Sequence, residues 1–538
     1  QVSANNSKAT SYSDTLSGQI FGVDTTIDYG TDHVYPSMSS PIDYTNPANF
    51  SGFDVTTGWT RERDKGRQAR LVVDYDYDLF GGWTGRLKTG LVYVDTSKDV
   101  EKRNAGAAMK AKMVALGDAS VRADMVSVLP IPDLDMGPGW PNRFGTFTRD
   151  YAFSTYDPVA FNTSEAFTPA QSFGAAEKVS TGFVQSDFKG DVLGRELRLN
   201  AGVRWSQTKL DIDNFKRSGS GNTYQPNSEK GKYTNVLPAV SAAWDLNDEL
   251  IFRTSWGKTI SRASLSIIAA QTVIPNAFDN TATAGNPNLR PQQSKNFDTS
   301  LEWYFKPGSL LSAAYFKKKL TDATVSTTTN TTFGALGLPD TALGAIFQDA
   351  SGRVDPNLPM VLRTYSNAGE QTLKGYELAY QQDFTFLPDP FKGFGALASY
   401  THIDPFNSMR WITNAGKEIE VNSVPKYAYS VTAYYERGPL AMRLSYNYKD
   451  RSLHGDNPRN NGDDLIRWRA ARGYLDGTIS YKLSENLELR LDALNLTDTL
   501  NYDYFEDATG QYGSGKHTRM DYAKYDGRTF KIGIRGKL

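Results

Sequence analysis

The sequence predicts an all-β fold, a transmembrane antiparallel β-barrel with short turns at one end and long loops at the other. Three observations carry this. Apolar residues recur at every second position through most of the 538-residue chain, the period of a strand with one buried face. The alternate faces are densely charged along whole strands, as a water-filled lumen allows. Connections alternate between very short, such as "SEN" (484–486), "ERGP" (436–439), "LNDE" (246–249) and "KPGS" (306–309), and long.

Composition agrees and narrows the classes. Mean hydropathy is −0.50, and no apolar run reaches the about 18 residues a spanning helix needs. A barrel strand crosses a bilayer with only half its residues apolar. The 30 Tyr, 27 Phe, 9 Trp and 46 Gly suit aromatic girdles and many turns. A net charge of −1 gives no electrostatic argument for nucleic acid. There is no cysteine, so disulfides and thiolate metal sites are excluded. His33, His402, His454 and His517 lack ligand-like spacing.

The chain begins at Gln1 with "QVSANNSKATSYSD", which has neither the basic nor the apolar region of a signal peptide. Either the mature chain starts there or an upstream part is missing. From about residue 50 the alternation is explicit. In "ELRLNAGVRW" (196–205), Leu197, Leu199, Ala201, Val203 and Trp205 share one face, and Glu196, Arg198, Asn200 and Arg204 the other. In "PLAMRLSYNYK" (439–449), Leu440, Met442, Leu444, Tyr446 and Tyr448 oppose Arg443, Ser445, Asn447 and Lys449. In "NLELRLD" (486–492), Leu487, Leu489 and Leu491 oppose Glu488, Arg490 and Asp492. Apolar faces ending in Trp205, Tyr446, Tyr448, Tyr75 and Tyr77 read as interfacial girdles.

About fifteen or sixteen strands are expected, with boundaries good to a few residues. They lie near 52–79, 84–101, 176–190, 194–210, 234–246, 249–261, 293–306, 309–324, 362–386, 391–404, 418–436, 439–452, 466–483, 486–498 and 523–538, with one more within 16–30. The long loops are 102–175, 211–233, 262–292, 325–361, 405–417, 453–465 and 499–522, with a short helix over 104–116. The last strand, "GRTFKIGIRGKL" (527–538), sets Ile532, Ile534 and Leu538 toward lipid and Lys531, Arg535 and Lys537 toward the lumen.

Several stretches resemble TonB-dependent outer-membrane receptors. They are "GVRWSQT" (202–208), "GNPNLRPQQSKNFDTSLEWYF" (285–305), "ALNLTDTLNYDYF" (493–505) and the terminal strand. "EKVSTGFVQSDFKG", "RLVVDYDYDLFGGWTGRLKTGLVY" and "GSLLSAAYFKK" resemble the branch of Caulobacter- and Xanthomonas-type bacteria, which is tied to carbohydrate uptake. The resemblance covers about residues 50–538. It implies the outer membrane of a Gram-negative bacterium and a barrel of about 22 strands. No stretch resembles the family's plug or its TonB-contacting segment. We therefore expect residues 1–538 to be the C-terminal portion of such a barrel, without the plug and first strands. An N-terminal segment or second polypeptide would complete it, since open edges leave unpaired backbone groups in hydrocarbon. The rival expectation is a self-closed barrel of about 16 strands, a passive porin.

No Ser/His/Asp or Cys/His grouping and no phosphate-cradling loop is present, so no catalytic residue is assigned. Asp74, Asp76 and Asp78 in "DYDYD" share one strand face, and a straight strand cannot wrap an ion as a loop does. No metal or cofactor is expected. Ligand-binding candidates come from loops that mix aromatics with carboxylates and arginine. They are Trp140, Tyr151 and Tyr156 in 132–157, and Asp404, Arg410 and Trp411 in "HIDPFNSMRW" (402–411). Such side chains stack on sugar CH faces and hydrogen-bond hydroxyls. The expected function is TonB-dependent import of a carbohydrate, with a ferric siderophore as the second ligand class. The resemblance implies energy supplied by TonB–ExbB–ExbD through a plug.

Overall fold

The computed structural model describes residues 1–19, 25–28, 37–104, 117, 119, 123, 127–130, 143–146, 166–217, 224–269, 272–274, 280–338, 340–343, 347–367, 369–406, 410–412, 418–420, 424–454, 465–507 and 519–536. Of the helix expected over 104–116, Asn104 ends a strand and the rest lies outside them.

One antiparallel wall dominates. Its long strands are β1 (Val2–Gln19), β2 (Ser51–Asp78), β3 (Thr84–Asn104), β4 (Phe173–Val192), β5 (Arg195–Arg217), β6 (Tyr224–Asp245), β7 (Leu250–Ser261) and β8 (Gln292–Lys306). There follow β9 (Ser309–Thr321), β10 (Gln371–Asp383), β11 (Phe394–Phe406), β12 (Tyr427–Arg437), β13 (Leu440–Lys449), β14 (Arg472–Ser484), β15 (Leu487–Leu494) and β16 (Thr529–Gly536). Each pairs antiparallel with the next in chain order. The two-residue strand Ala166–Phe167 adds to β3.

The short end is built from turns whose backbone the sequence permits. Leu193 and Gly194 both take positive φ, 56° and 75°, the geometry of a two-residue hairpin whose twist matches its strands. Gly308 and Gly438 do the same work at their turns, at 72° and 56°. Asn247 accepts from the amides of Glu249 and Leu250 at 2.9 and 2.8 Å, closing the 246–249 turn.

Register confirms the two faces. Leu197, Leu199, Val203, Leu440, Leu444, Leu487, Leu489 and Leu491 all lie on one side of the wall, and Arg198, Arg204, Arg443, Glu488 and Arg490 on the other. The apolar side is exposed, a band ready for lipid. Two aromatic rows bound it. At the long-loop end Tyr376 packs against Tyr400 and His402 at 6.1 and 5.0 Å, and Tyr429 against Tyr448 at 4.9 Å. At the short-turn end Trp303 meets Phe305 at 5.1 Å and Phe394 meets Tyr435 at 4.8 Å. Tyr429 and Tyr435 are six residues apart on β12, about 20 Å along a strand.

Several expectations need correction. β1 was expected within 16–30 but occupies Val2–Gln19. Its sequence, "VSANNSKATSYSDTLSGQ", has no apolar alternation because it pairs with the upper part of β2, Ser51–Ala69, beyond the apolar band. Likewise β5 and β6 run through most of the expected loop 211–233. Four expected single strands are each two, a wall strand plus an external piece. They divide at 359–367 and β10, 418–420 and β12, 465–469 and β14, and 519–525 and β16. Apolar residues recur at every second position on both sides of these breaks, which hides the division, although in 466–483 the phase shifts from Ile466 and Trp468 to Ile479 and Tyr481.

β16 does not close the wall on β1 or β2. Among the described residues β16 pairs with β15 alone and β1 with β2 alone. Ile534 is 72% exposed, whereas Leu489 beside it is 40% exposed. That difference is the signature of a free edge. The self-closed barrel of about 16 strands is therefore not what these registers form.

Candidate functional site

The charged face is concave. A single cleft of about 1060 Å³ is lined from β2 round to β10, with Asp76, Arg86, Asp187, Arg198, Arg253 and Glu377 among its walls. Its side chains form a lattice of cross-strand pairs. Arg86 contacts Asp76 at 2.6 Å, Lys88 contacts Asp74 at 3.4 Å and Arg253 contacts Glu302 at 3.0 Å. The acids of "DYDYD" at 74 and 76 thus have basic partners on the next strand. Arg86, Lys189, Arg198 and Arg253 stand among Asp76, Asp78, Asp187, Asp298 and Glu377, which leaves a polar, nearly neutral interior near the short-turn end.

At the opposite end of the lumen, residues from two of the resembling stretches meet a third. Arg262, just past β7, donates to Thr208 Oγ1 at 3.2 Å and to Ser206 Oγ at 3.5 Å. Its Nε lies 3.6 Å from Glu177 of β4. Thr208 is fully buried. The helix Leu265–Ala269 follows at once and packs Ile268 and Ala269 on Ala175, Leu210 and Ile212. Those three share the strand face of Asp187 and Arg198, so the connection folds into the lumen. The "NLTD" segment also has a mechanical reason. Asn495 and Asp498 adopt positive φ, 55° and 54°, which asparagine and aspartate tolerate best. Buried Asn495 donates to Gly527 O at 3.0 Å, tying the end of β15 to the start of β16.

Above the wall stands an external sheet of Ser452–Leu453, Leu465–Arg469, Leu500–Asp507 and Arg519–Tyr525. Its core is Ile466, Trp468, Ala470 and Tyr504. Asp503 is buried and receives Arg467 at 3.3 Å, Arg469 at 3.8 Å and the His454 ring. Arg467 also reaches Asp521 at 2.6 Å. On the other face Arg451 lies 4.5 Å over the Trp468 ring, donates to the Tyr504 hydroxyl at 3.1 Å and pairs with Glu506 at 2.8 Å. Burial pushes the Tyr504 phenol up, and the guanidinium of Arg451 works against that rise. Burial also opposes the Arg451 charge, but Tyr504 and Glu506 outweigh it and hold the group above its usual range.

This gathering of arginine and tyrosine is not among the candidates the sequence offered. Its members come from 451–469 and 502–521, segments separated by a full wall hairpin. The legible signal was the alternation in "LNYDYFED", inside the expected loop 499–522.

The sequence-derived candidates fare differently. Trp140, Tyr151 and Tyr156 lie outside the described residues. Arg410 and Trp411 sit on a short hairpin, with Trp411 opposite Ile419. Asp404 is on the outward face of β11, opposite Lys374 and 3.3 Å from its ammonium. The structure does not bring it to the lumen.

Comparison with known proteins now has geometry to rest on. A family profile described as "TonB dependent receptor-like, beta-barrel" matches residues 3–496. The ferric-catecholate import receptor Fiu of E. coli K12, in its closed form, superposes with TM-score 0.53 at 13% identity, over 99% of this chain and 62% of that one. The siderophore receptor PiuA of Acinetobacter baumannii gives 0.52 at 14%, over 90% and 62%. The ferric citrate transporter FecA, unliganded, gives 0.52 at 10%, over 99% and 62%. At such identities the likeness speaks for the fold, and the chain spans 62% of the length of these structures. A search of curated protein sequences finds no match.

Proposed function

This chain belongs to the TonB-dependent receptor family through its β-barrel domain, and from that premise we propose that it serves the active import of a large nutrient. The family is one of transporters and receptors of the Gram-negative outer membrane, not of enzymes. The observation that carries the reading is the wall itself. It has an outward apolar band between two aromatic rows, an ion-paired concave face and a loop helix folded inward at the external rim. Ligand enters from the long-loop side. Energy comes from TonB–ExbB–ExbD through a plug domain seated against the charged lattice around Asp76, Arg86 and Arg253.

The unpaired edges of β16 and of β2 below β1, residues 71–78, belong to the same proposal. In hydrocarbon each unsatisfied backbone group costs several kcal/mol. Further strands, from this protein or a second polypeptide, therefore cover both edges. The porin alternative needed the wall to close on itself, and the registers give it no support.

For the ligand, the external sheet favours an anionic metal chelate. Arg451, Arg467, Arg469 and Tyr502 gather in that sheet, the residue types that recognise anionic, aromatic-rich chelates. The solved relatives are described as ferric-catecholate, siderophore and ferric citrate proteins. An oligosaccharide is the second reading, and the polar-aromatic stretch 132–157 favours it. Growth of a deletion strain decides between them. Loss of growth on a ferric chelate under iron limitation supports the first, and loss on an oligosaccharide as sole carbon source supports the second. Normal growth in both, with TonB required in neither, overturns active import.

A further inference from the structure

We propose that the outer surface of β7–β10, just beyond the aromatic row at the long-loop end, is a docking surface for the phosphate groups of an anionic lipid of the outer leaflet. Each of these four strands carries an outward aromatic and then, two residues toward the long loops, a lysine. The pairs are Trp256 and Lys258, Phe297 and Lys295, Tyr315 and Lys317, Tyr376 and Lys374. All lie on the face that bears the exposed residues Phe252, Leu301, Leu311 and Leu378.

Register sets the lysines side by side. Lys258 is directly opposite Lys295, Lys295 opposite Lys319, and Lys317 opposite Lys374. Like charges directly opposite destabilise a sheet, so the arrangement needs a counter-charge. Two are answered within the chain: Lys319 contacts Glu370 at 2.7 Å and Lys374 contacts Asp404 at 3.3 Å. Lys258, Lys295 and Lys317 have no ion-pair partner among the described residues. The surplus charge sits at one level, and that level is set by the aromatics, which mark the headgroup region.

The opposite end of the same strands shows that this is not a general property of the rim. There the outward positions Leu250, Phe305 and Gln382 are uncharged, and Lys306 faces Ser309 and stands 5.6 Å over the Phe386 ring, so no lysines face one another. A ligand in the lumen cannot reach this face, since the wall lies between. Lysine stems lie along the apolar surface and present their ammonium groups at the headgroups. There a lipid phosphate offers several acceptor oxygens to neighbouring lysines.

The test uses the protein purified from outer membranes in detergent, with retained phosphorylated glycolipid measured per protein. A Lys258→Gln/Lys295→Gln/Lys317→Gln variant is compared with a charge-matched control, Lys318→Gln/Lys482→Gln/Lys531→Gln, whose lysines face the lumen by register. The outward triple variant should retain at least about tenfold less lipid, and the control should match the parent. Replacing the three outward lysines by arginine should preserve retention and shows that the site tolerates substitution. Rebinding should fail with enzymatically dephosphorylated glycolipid and persist in the presence of inorganic phosphate. Equal retention by the outward triple variant and the parent, or equal rebinding of dephosphorylated lipid, overturns the proposal.

Discussion

Gly395 of β11 lies directly opposite Tyr434 of β12, and the phenol ring occupies the space above the glycine. A Cβ at 395 would come within 2.1 Å of the ring Cζ. The same device recurs where Phe316 covers Gly375, and there a Cβ would also meet His402 O at 2.1 Å. Glycine lets a large lumen-facing ring lie flat on the neighbouring strand, so the ring fills space without opening the sheet. Gly395→Ala should destabilise the barrel by about 1–3 kcal/mol, the usual cost of overpacking. Gly533→Ala should be neutral, because a Cβ there meets nothing within 4 Å. Urea unfolding in lipid vesicles measures both, and equal midpoints would refute the covering role.

Leu489 and Arg490 test the two faces of β15. Leu489 sits among Ile534, Leu491 and Tyr481 on the outer band, and Arg490 pairs with Asp492 at 2.9 Å on the lumen side. Leu489→Arg should cost up to roughly 2–4 kcal/mol, the full value applying if the site lies at the midplane, while Arg490→Leu should cost little. Heat-modifiable gel mobility and unfolding in vesicles report the order. A larger loss at 490 would invert the assigned faces.

Asp503 is expected to hold the external sheet together. It is buried under Arg467, Arg469 and His454, so Asp503→Asn leaves cations without their shared partner. The arginines keep some water contact, which moderates the loss to about 2–3 kcal/mol. Hydrogen exchange should speed up across Leu465–Arg469 and Leu500–Asp507 with the wall strands unchanged. Uniform exchange throughout would show that the sheet does not depend on this carboxylate.

Trp140 and Trp411 remain the proposed aromatic contacts for ligand. Alanine at either should weaken uptake while the amount of barrel in the membrane stays constant. Normal transport by both variants would make them packing residues.

Arg262 should position the inward-folded helix rather than touch ligand. Arg262→Met removes its bonds to Thr208 and Ser206 and its contact with Glu177 but keeps its bulk. Proteolysis near Leu265–Ala269 should accelerate several-fold, since a released loop turn is held by few remaining contacts. Arg262→Lys should restore part of the protection. Unchanged cleavage in the methionine variant would exclude the latch.

What the sequence determined by itself is the face of nearly every residue in the apolar band. Leu197 against Arg198, or Leu489 against Arg490, follows from the backbone, because successive side chains of a strand point to opposite sides whatever the partner. Lipid on one side then writes that alternation into residue type, and the short turns follow from glycines at positive φ and from the Asn247 side chain. Tertiary structure decided everything that lies above the lipid or depends on a partner far along the chain. The upper parts of β5 and β6 rise beyond the lipid, so nothing selects apolar residues on their outer face, while inward Leu210 and Ile212 pack under the helix Leu265–Ala269. Asp404 reads as a loop acid until register sets it against Lys374 on the outside. Arg262 finds Thr208, and Asp503 finds Arg467, only because the wall has brought distant segments side by side. Cross-strand neighbours are chosen by register, and register is a property of the folded sheet rather than of any one strand.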